Sequence, residues 1–200
     1  MRRIAFSLVT MLWAASSVYA APCETLAKIA LPHTTITAAE QIPAGAFVPP
    51  GARPAGAAVP AIYAKLPEFC RVTATLAPSS DSDIKIEVWM PTSGWNGTFQ
   101  AVGNGGWAGT ISYAALAAAV AGGYATASTD TGHVGGTADF APGHPQKVVD
   151  FGWRAKHLQA ERSKDIIHAH FGEPARHSYF SSCSNGGRQA LMEIQRFPDD

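Results

Sequence analysis

Ser184 lies in Cys183-Ser184-Asn185-Gly186-Gly187, between a stretch that reads as a strand and one that reads as a helix. A serine hydroxyl becomes a nucleophile when a base takes its proton and a sharp strand-to-helix turn pushes it clear of the sheet. Such a turn, G-x-S-x-G, needs small flanking residues because strand and helix pack closely around it. Gly186 meets that need. Two residues before the serine stands Ser182, which is small but not glycine. A helix that starts just after the serine aims its free N–H groups and positive dipole end at the reacting centre. The same residues also fit a plain Ser-Asn-Gly-Gly loop capping a helix. A Cys183 nucleophile is a further reading, disfavoured where an oxidising compartment consumes free thiols.

The second chemical signal is Gly103-Asn104-Gly105-Gly106-Trp107-Ala108-Gly109. A Gly-rich turn after a strand can lend one backbone N–H to an oxyanion hole, and the residue after the serine lends the other. That points to Asn185 with Gly105 or Gly106. The rival is a dinucleotide fingerprint, since Gly103, Gly105 and Ala108 fit G-x-G-x-x-A and Asp130 ends the next strand. The rival leaves the turn at 183–187 unexplained. All seven histidines (His33, His133, His144, His157, His168, His170 and His177) precede Ser184. A Ser-acid-His chain order therefore puts both partners after residue 200, and the reversed order could use His133 and Asp150. His168 and His170, two apart, fall on different helix faces, and Asp81-Ser82-Asp83 reads as a hairpin turn. No metal-ligand set is read here, and no cofactor.

These groups need a scaffold. Residues 71–76 and 83–90 read as paired strands; in the second, Ile84, Ile86 and Val88 face one side and Lys85, Glu87 and Trp89 the other, the mark of a half-buried strand. Residues 98–102 form a short strand. Strand and helix then alternate: helix 111–120, strand 124–128, helix 148–170, strand 178–182 and a last helix with Ala190, Leu191, Ile194 and Phe197 on one face. A hairpin feeding βαβαβα predicts an α/β fold whose later strands are parallel and covered by helices. Residues 21–68, rich in Pro and Ala, read as an irregular arm wrapped over the domain that occupies 69–200. So few parallel strands leave an open edge, so an incomplete folding unit is expected.

Arg2 and Arg3, the apolar run from Ile4 to Val18 and the small residues Val18 and Ala20 have the layout of a secretory signal peptide over 1–20. The run is shorter than the about 18 apolar residues of an anchor. Pro22 before Cys23 does not suit a lipobox. The chain is thus expected to be secreted or periplasmic. Fifteen basic residues balance fifteen acidic ones, so nothing draws it to nucleic acid or to a membrane surface. Export favours disulfides, and three cysteines leave one over. Cys23 and Cys70 flank the Pro-rich segment and could tie the arm down. Asn96-Gly97-Thr98 is a glycosylation sequon.

Taken together, Val88-Trp89-Met90-Pro91, Trp95-Asn96-Gly97, the loop 103–109, Ser128-Thr129-Asp130-Thr131-Gly132-His133, Asp150-Phe151-Gly152-Trp153-Arg154-Ala155-Lys156-His157 and 183–189 resemble the tannase/feruloyl esterase family, in the same order, over 65–200. The family usually has glycine where Ser182 stands. The resemblance implies an α/β-hydrolase core and a secreted serine esterase acting on small esters of aromatic acids, feruloyl, galloyl or related. It implies that Ser184 is the nucleophile. It pairs Cys183 with a cysteine beside a catalytic histidine past residue 200, which leaves Cys23 for Cys70. It also implies a lid domain, with a structural calcium, beyond this chain. The alternative is a non-catalytic fragment or pseudoenzyme of the same fold.

Overall fold

The computed structural model describes residues 20–51 and 60–199. Residues 1–19, on which nearly all of the signal peptide expected over 1–20 falls, and residues 52–59 of the arm lie outside the described residues. Strand β1 (Thr34–Ile42) opens a six-stranded sheet. It pairs antiparallel with β2 (Phe69–Leu76), which pairs antiparallel with β3 (Ile84–Pro91). Helix α1 (Ala61–Ala64) precedes β2. Then come β4 (Thr98–Val102), α2 (Tyr113–Ala121), β5 (Ala125–Thr129), α3 (Pro145–Val149), a π-helical turn (Asp150–Arg154), α4 (Ala155–Phe171), β6 (His177–Ser181) and α5 (Asn185–Arg196). The strand order is β1-β2-β3-β5-β4-β6, and β4 is parallel to both of its neighbours.

Alternation along β3 feeds two apolar layers. Ile84, Ile86 and Val88 join Phe99, Ala127, Ile166 and Ile167 on the face covered by α4. Trp89 joins Phe69, Leu116 and Val120 on the face covered by α2. With Trp89 fully buried and Glu87 only 5 % exposed, β3 is covered on both sides, not one. The expectation of a half-buried strand is corrected by a polar arrangement no local pattern reveals. Arg71, from β2, grips Glu87 through Nε (2.8 Å) and Nη2 (2.7 Å), while Trp89 Nε1–H (3.0 Å) and Tyr113 O–H (2.9 Å) donate to the same carboxylate. A buried carboxylate with that many donors is satisfied and can sit inside.

The arm also departs from expectation. It holds a 3-10 turn (Cys23–Lys28) and all of β1, a nine-residue edge strand. Its sequence, Thr-Thr-Ile-Thr-Ala-Ala-Glu-Gln-Ile, lacks a clean apolar alternation, and the register slips between Ile36 and Ala38. The intervening Thr37 bonds Thr73 Oγ1 (2.7 Å) through its own hydroxyl. Cys23 and Cys70 form a disulfide with Cα atoms 5.5 Å apart, and Ala21 N–H donates to His170 C=O (2.6 Å) at the end of α4. The helix expected over 148–170 starts at Pro145 and is interrupted by the π turn, the form helices often take at functional sites.

The chain leaves β4 for α2 on one face of the sheet, and leaves β6 for α5, which packs beside α4 on the other. Parallel neighbours whose connections part to opposite faces open a crevice at their carboxyl ends, where α/β proteins bind ligands. Both chemical motifs, 103–109 and 183–187, lie there.

Candidate active site

Ser184 stands between β6 and α5 with φ +57° and ψ −121°. A non-glycine residue with positive φ carries strain of about 1–3 kcal/mol, which surrounding structure must hold in place. The turn is tight. A Cβ on Gly186 would fall 1.9 Å from Ser182 Oγ and 2.3 Å from its Cβ. One on Gly103 would fall 2.7 Å from the same two atoms. Ser182 therefore fills the narrow gap between β4 and the start of α5, and glycine at 103 and 186 makes room for it. That is how the sequence accommodates serine where small size matters most.

Three polar side chains that sequence reasoning passed over fix the two loops. Asn104, 2 % exposed, donates from Nδ2 to Thr110 C=O (2.8 Å) and Thr129 C=O (2.9 Å), closing the Gly-rich loop on itself and on β5. Gln189 of α5 accepts the Asn104 N–H at Oε1 (3.2 Å), joining loop to helix. Arg188 donates to Asn185 Oδ1 (2.6 Å), Gly152 C=O (2.6 Å) and Phe151 C=O (3.1 Å), joining α5 to the π turn. Burial lowers the Arg188 pKa from its usual value. The only sequence hint was that polar residues recur at strand and helix ends; their partners come from segments far apart in the chain.

Gly106, Trp107, Phe151, Asn185 and Arg188 line one open hollow of about 410 Å³. Among the described residues the N–H groups of Asn185, Gly105 and Gly106 make no hydrogen bond, whereas Asn104 N–H is taken by Gln189. Asn185 and Gly106 share the hollow; Gly105 is not in its wall. Cys183 is an exposed free thiol.

His133 and Asp150 are not brought to Ser184. His133 is buried, with Nε2 2.7 Å from Trp107 C=O and Nδ1 3.2 Å from Thr131 Oγ1. Asp150 is buried and takes Arg154 Nε–H (2.6 Å). The dinucleotide arrangement fails on geometry as well. Helix α2 starts only at Tyr113, so the glycines at 103 and 105 do not open it. The Asp130 carboxylate turns inward, accepting from Lys85 N–H (2.9 Å) and Gly132 N–H (2.8 Å), and burial pushes its pKa up to about 6. His168 is exposed and His170 buried, so the two do not converge. Among the described residues no group of three or more His, Cys, Asp or Glu could hold a metal ion.

An exposed serine at a strained strand-to-helix turn, beside a Gly-rich loop at the carboxyl ends of parallel strands, defines the core of an α/β-hydrolase. The sequence profile described as tannase and feruloyl esterase matches residues 70–200, and the chain belongs to that family. An uncharacterized esterase of Xanthomonas campestris is 43% identical over 180 residues, covering 89% of this chain and 30% of that protein. A probable feruloyl esterase B-2 of Aspergillus flavus is 41% identical over 133 residues, covering 66% of this chain and 25% of the relative. The crystal structure of feruloyl esterase B from Aspergillus oryzae superposes with a TM-score of 0.78 at 31% identity, over 88% of this chain and 34% of that one. The chain thus spans about a third or less of the length of these relatives.

Proposed function

We propose that this chain is the nucleophile-bearing part of an exported serine esterase that cleaves small esters of aromatic acids, feruloyl, galloyl or related, through an acyl-enzyme on Ser184. The observation that carries the reading is Ser184 itself, held at positive φ at the foot of α5 next to Asn185, which lines a hollow with Gly106; the N–H groups of both make no hydrogen bond. In the proposed reaction Ser184 Oγ attacks the ester carbonyl carbon, and the carbonyl oxygen becomes an oxyanion held by the N–H groups of Asn185 and Gly106. The tetrahedral intermediate collapses, the alcohol leaves with a proton, and water later hydrolyses the acyl-serine. The base that takes and returns the proton, and the acid that orients it, are assigned beyond residue 200, because His133 and Asp150 are otherwise engaged; the lid with its calcium, which the family resemblance implies, is assigned there too. The same assignment gives Cys183 a partner there. Export, to the periplasm or outside the cell, is supported by the Cys23–Cys70 disulfide.

The test uses protein made from the complete gene. It should hydrolyse methyl ferulate or methyl gallate, and Ser184→Ala should abolish that. Undiminished turnover by the Ser184→Ala variant would remove the nucleophile from this reading. The 200-residue chain alone should show no appreciable turnover, since it lacks the base.

A further inference from the structure

Trp107 is 49 % exposed although it follows Gly106 directly and lines the hollow beside Asn185. It is not a loose surface group. One face of its indole is stacked on Phe151, with centroids 4.9 Å apart and planes at 19°. Phe140 lies tilted 6.3 Å away. Its carbonyl is held by His133 Nε2, and the His133 ring is itself stacked on Phe140 at 4.0 Å. Phe151 is fixed in turn, because Arg188 bonds its carbonyl and lies 5.1 Å from its ring centre. The result is an aromatic shelf, backed on one face by Phe151 and half exposed, in the wall that Gly106 and Asn185 also line. A preformed surface of this kind gains binding without the cost of ordering side chains.

We propose that the open face of Trp107 is the specificity platform of the site: an aromatic ring of the ester stacks there while the carbonyl lies against the N–H groups of Gly106 and Asn185. The proposal rests on the esterase reading above. Sharing one hollow places the carbonyl site within a few bonds of the indole face, so the ring is carried close to the ester, on either the acid or the alcohol half. A stacked ring gains offset π contact on top of the area it covers, which an aliphatic chain does not. The Arg188 guanidinium at the rim adds a cationic edge suited to an electron-rich ring.

The experiment compares wild type, Trp107→Ala and Trp107→Phe, each made from the complete gene, on methyl ferulate, phenyl acetate and ethyl butyrate. In Trp107→Ala the ratio of kcat/KM for a ring-bearing ester to that for ethyl butyrate should fall by about tenfold or more, chiefly through KM. Trp107→Phe should restore most of the ratio. A fall confined to methyl ferulate assigns the shelf to the acid half; one confined to phenyl acetate assigns it to the alcohol half. Equal losses on all three esters, or none, would overturn the platform. Absence of any turnover by the wild type, or its persistence in Ser184→Ala, would instead overturn the esterase reading. Unchanged melting temperature in Trp107→Phe separates the effect from misfolding.

Discussion

Strands β3 and β6 belong to one sheet and are built in opposite ways. β3 is covered on both faces and carries Trp89, Met90 and Ile84 without solvent contact, whereas β6 is exposed along most of its length and has β4 as its only strand partner among the described residues. Among the described residues the antiparallel half is the more deeply buried, and the turn that carries Ser184 follows the less covered strand. The loops around Ser184 are held by polar bonds from Asn104, Gln189 and Arg188. Stability and site precision thus come from different interactions in different places, and substitutions should separate them.

The largest separation is expected from Ser184→Ala in the full-length protein. Turnover should fall by roughly 10⁴-fold or more, as for the loss of a hydrolase nucleophile, with the melting temperature moved by no more than a degree or two. A variant that unfolds instead would show that Ser184 also holds the edge together. Leu116→Ala should do the reverse. Leu116 is fully buried on the α2 face, so its truncation should destabilise the fold by about 3 kcal/mol. Denaturant unfolding measures that loss, and kcat/KM at low temperature should stay near the wild-type value.

Asn104→Ala tests the polar half of the contrast. It releases the Thr110 and Thr129 carbonyls and frees the loop that carries Gly106. Unpaired buried polar groups are worth about 1–3 kcal/mol each, so kcat should fall by roughly ten- to a hundredfold while KM for ethyl butyrate moves less. In a crystal of the full-length protein with a phosphonate on Ser184, the phosphonyl oxygen should sit about 3 Å from both Asn185 N and Gly106 N; an oxygen facing solvent would remove the proposed oxyanion hole.

A different kind of effect, on the pH dependence of stability, belongs to Lys156. It is buried under the sheet, donates to Val102 C=O (2.8 Å) and to Gln159 Oε1, and lies 4.7 Å from the Phe180 ring centre. Burial lowers its pKa to about 7, with the Glu193 charge opposing. The unfolded chain holds this proton up to its ordinary value near 10.5, so the group destabilises the fold fully below about pH 7 and progressively less up to about 10.5. Stability should therefore rise with pH across that window, and Lys156→Met should flatten the rise. Identical melting profiles from pH 7 to 9.5 for the two proteins would show that water or a local opening solvates the amine.

The sequence was informative where structure is local. Strand-helix alternation from residue 98 onward is visible because each element carries its own apolar period and ends in Gly or Pro. Ser184 could be placed at a strand-to-helix turn from its neighbours alone. What stayed hidden depends on contacts between distant segments. β1 has no apolar stripe of its own and is a strand because β2 offers it a partner. Glu87 reads as solvent-facing because Arg71, which neutralises it, and Tyr113, which donates to it, are remote in sequence. The roles of Asn104 and Gln189 have the same origin, since 85 residues separate the two. The choice between Gly105 and Gly106 is open in the sequence because either amide of a Gly-rich loop could turn inward; of the two, Gly106 lines the hollow, which is why the proposed oxyanion hole takes it.

The Cys23–Cys70 bridge closes a ring of chain 47 residues apart. A cross-link over such a span removes unfolded-state entropy worth about 4 kcal/mol, a large share of what a domain of this size holds in reserve. Under the export proposed above, that makes folding a matter of address and timing. In a reducing cytosol the thiols stay apart, β1 loses its tether and the precursor remains easier to thread through a translocon. Past the membrane, oxidation withdraws that freedom, and the chain becomes hardest to unfold only after it has reached the place where it works.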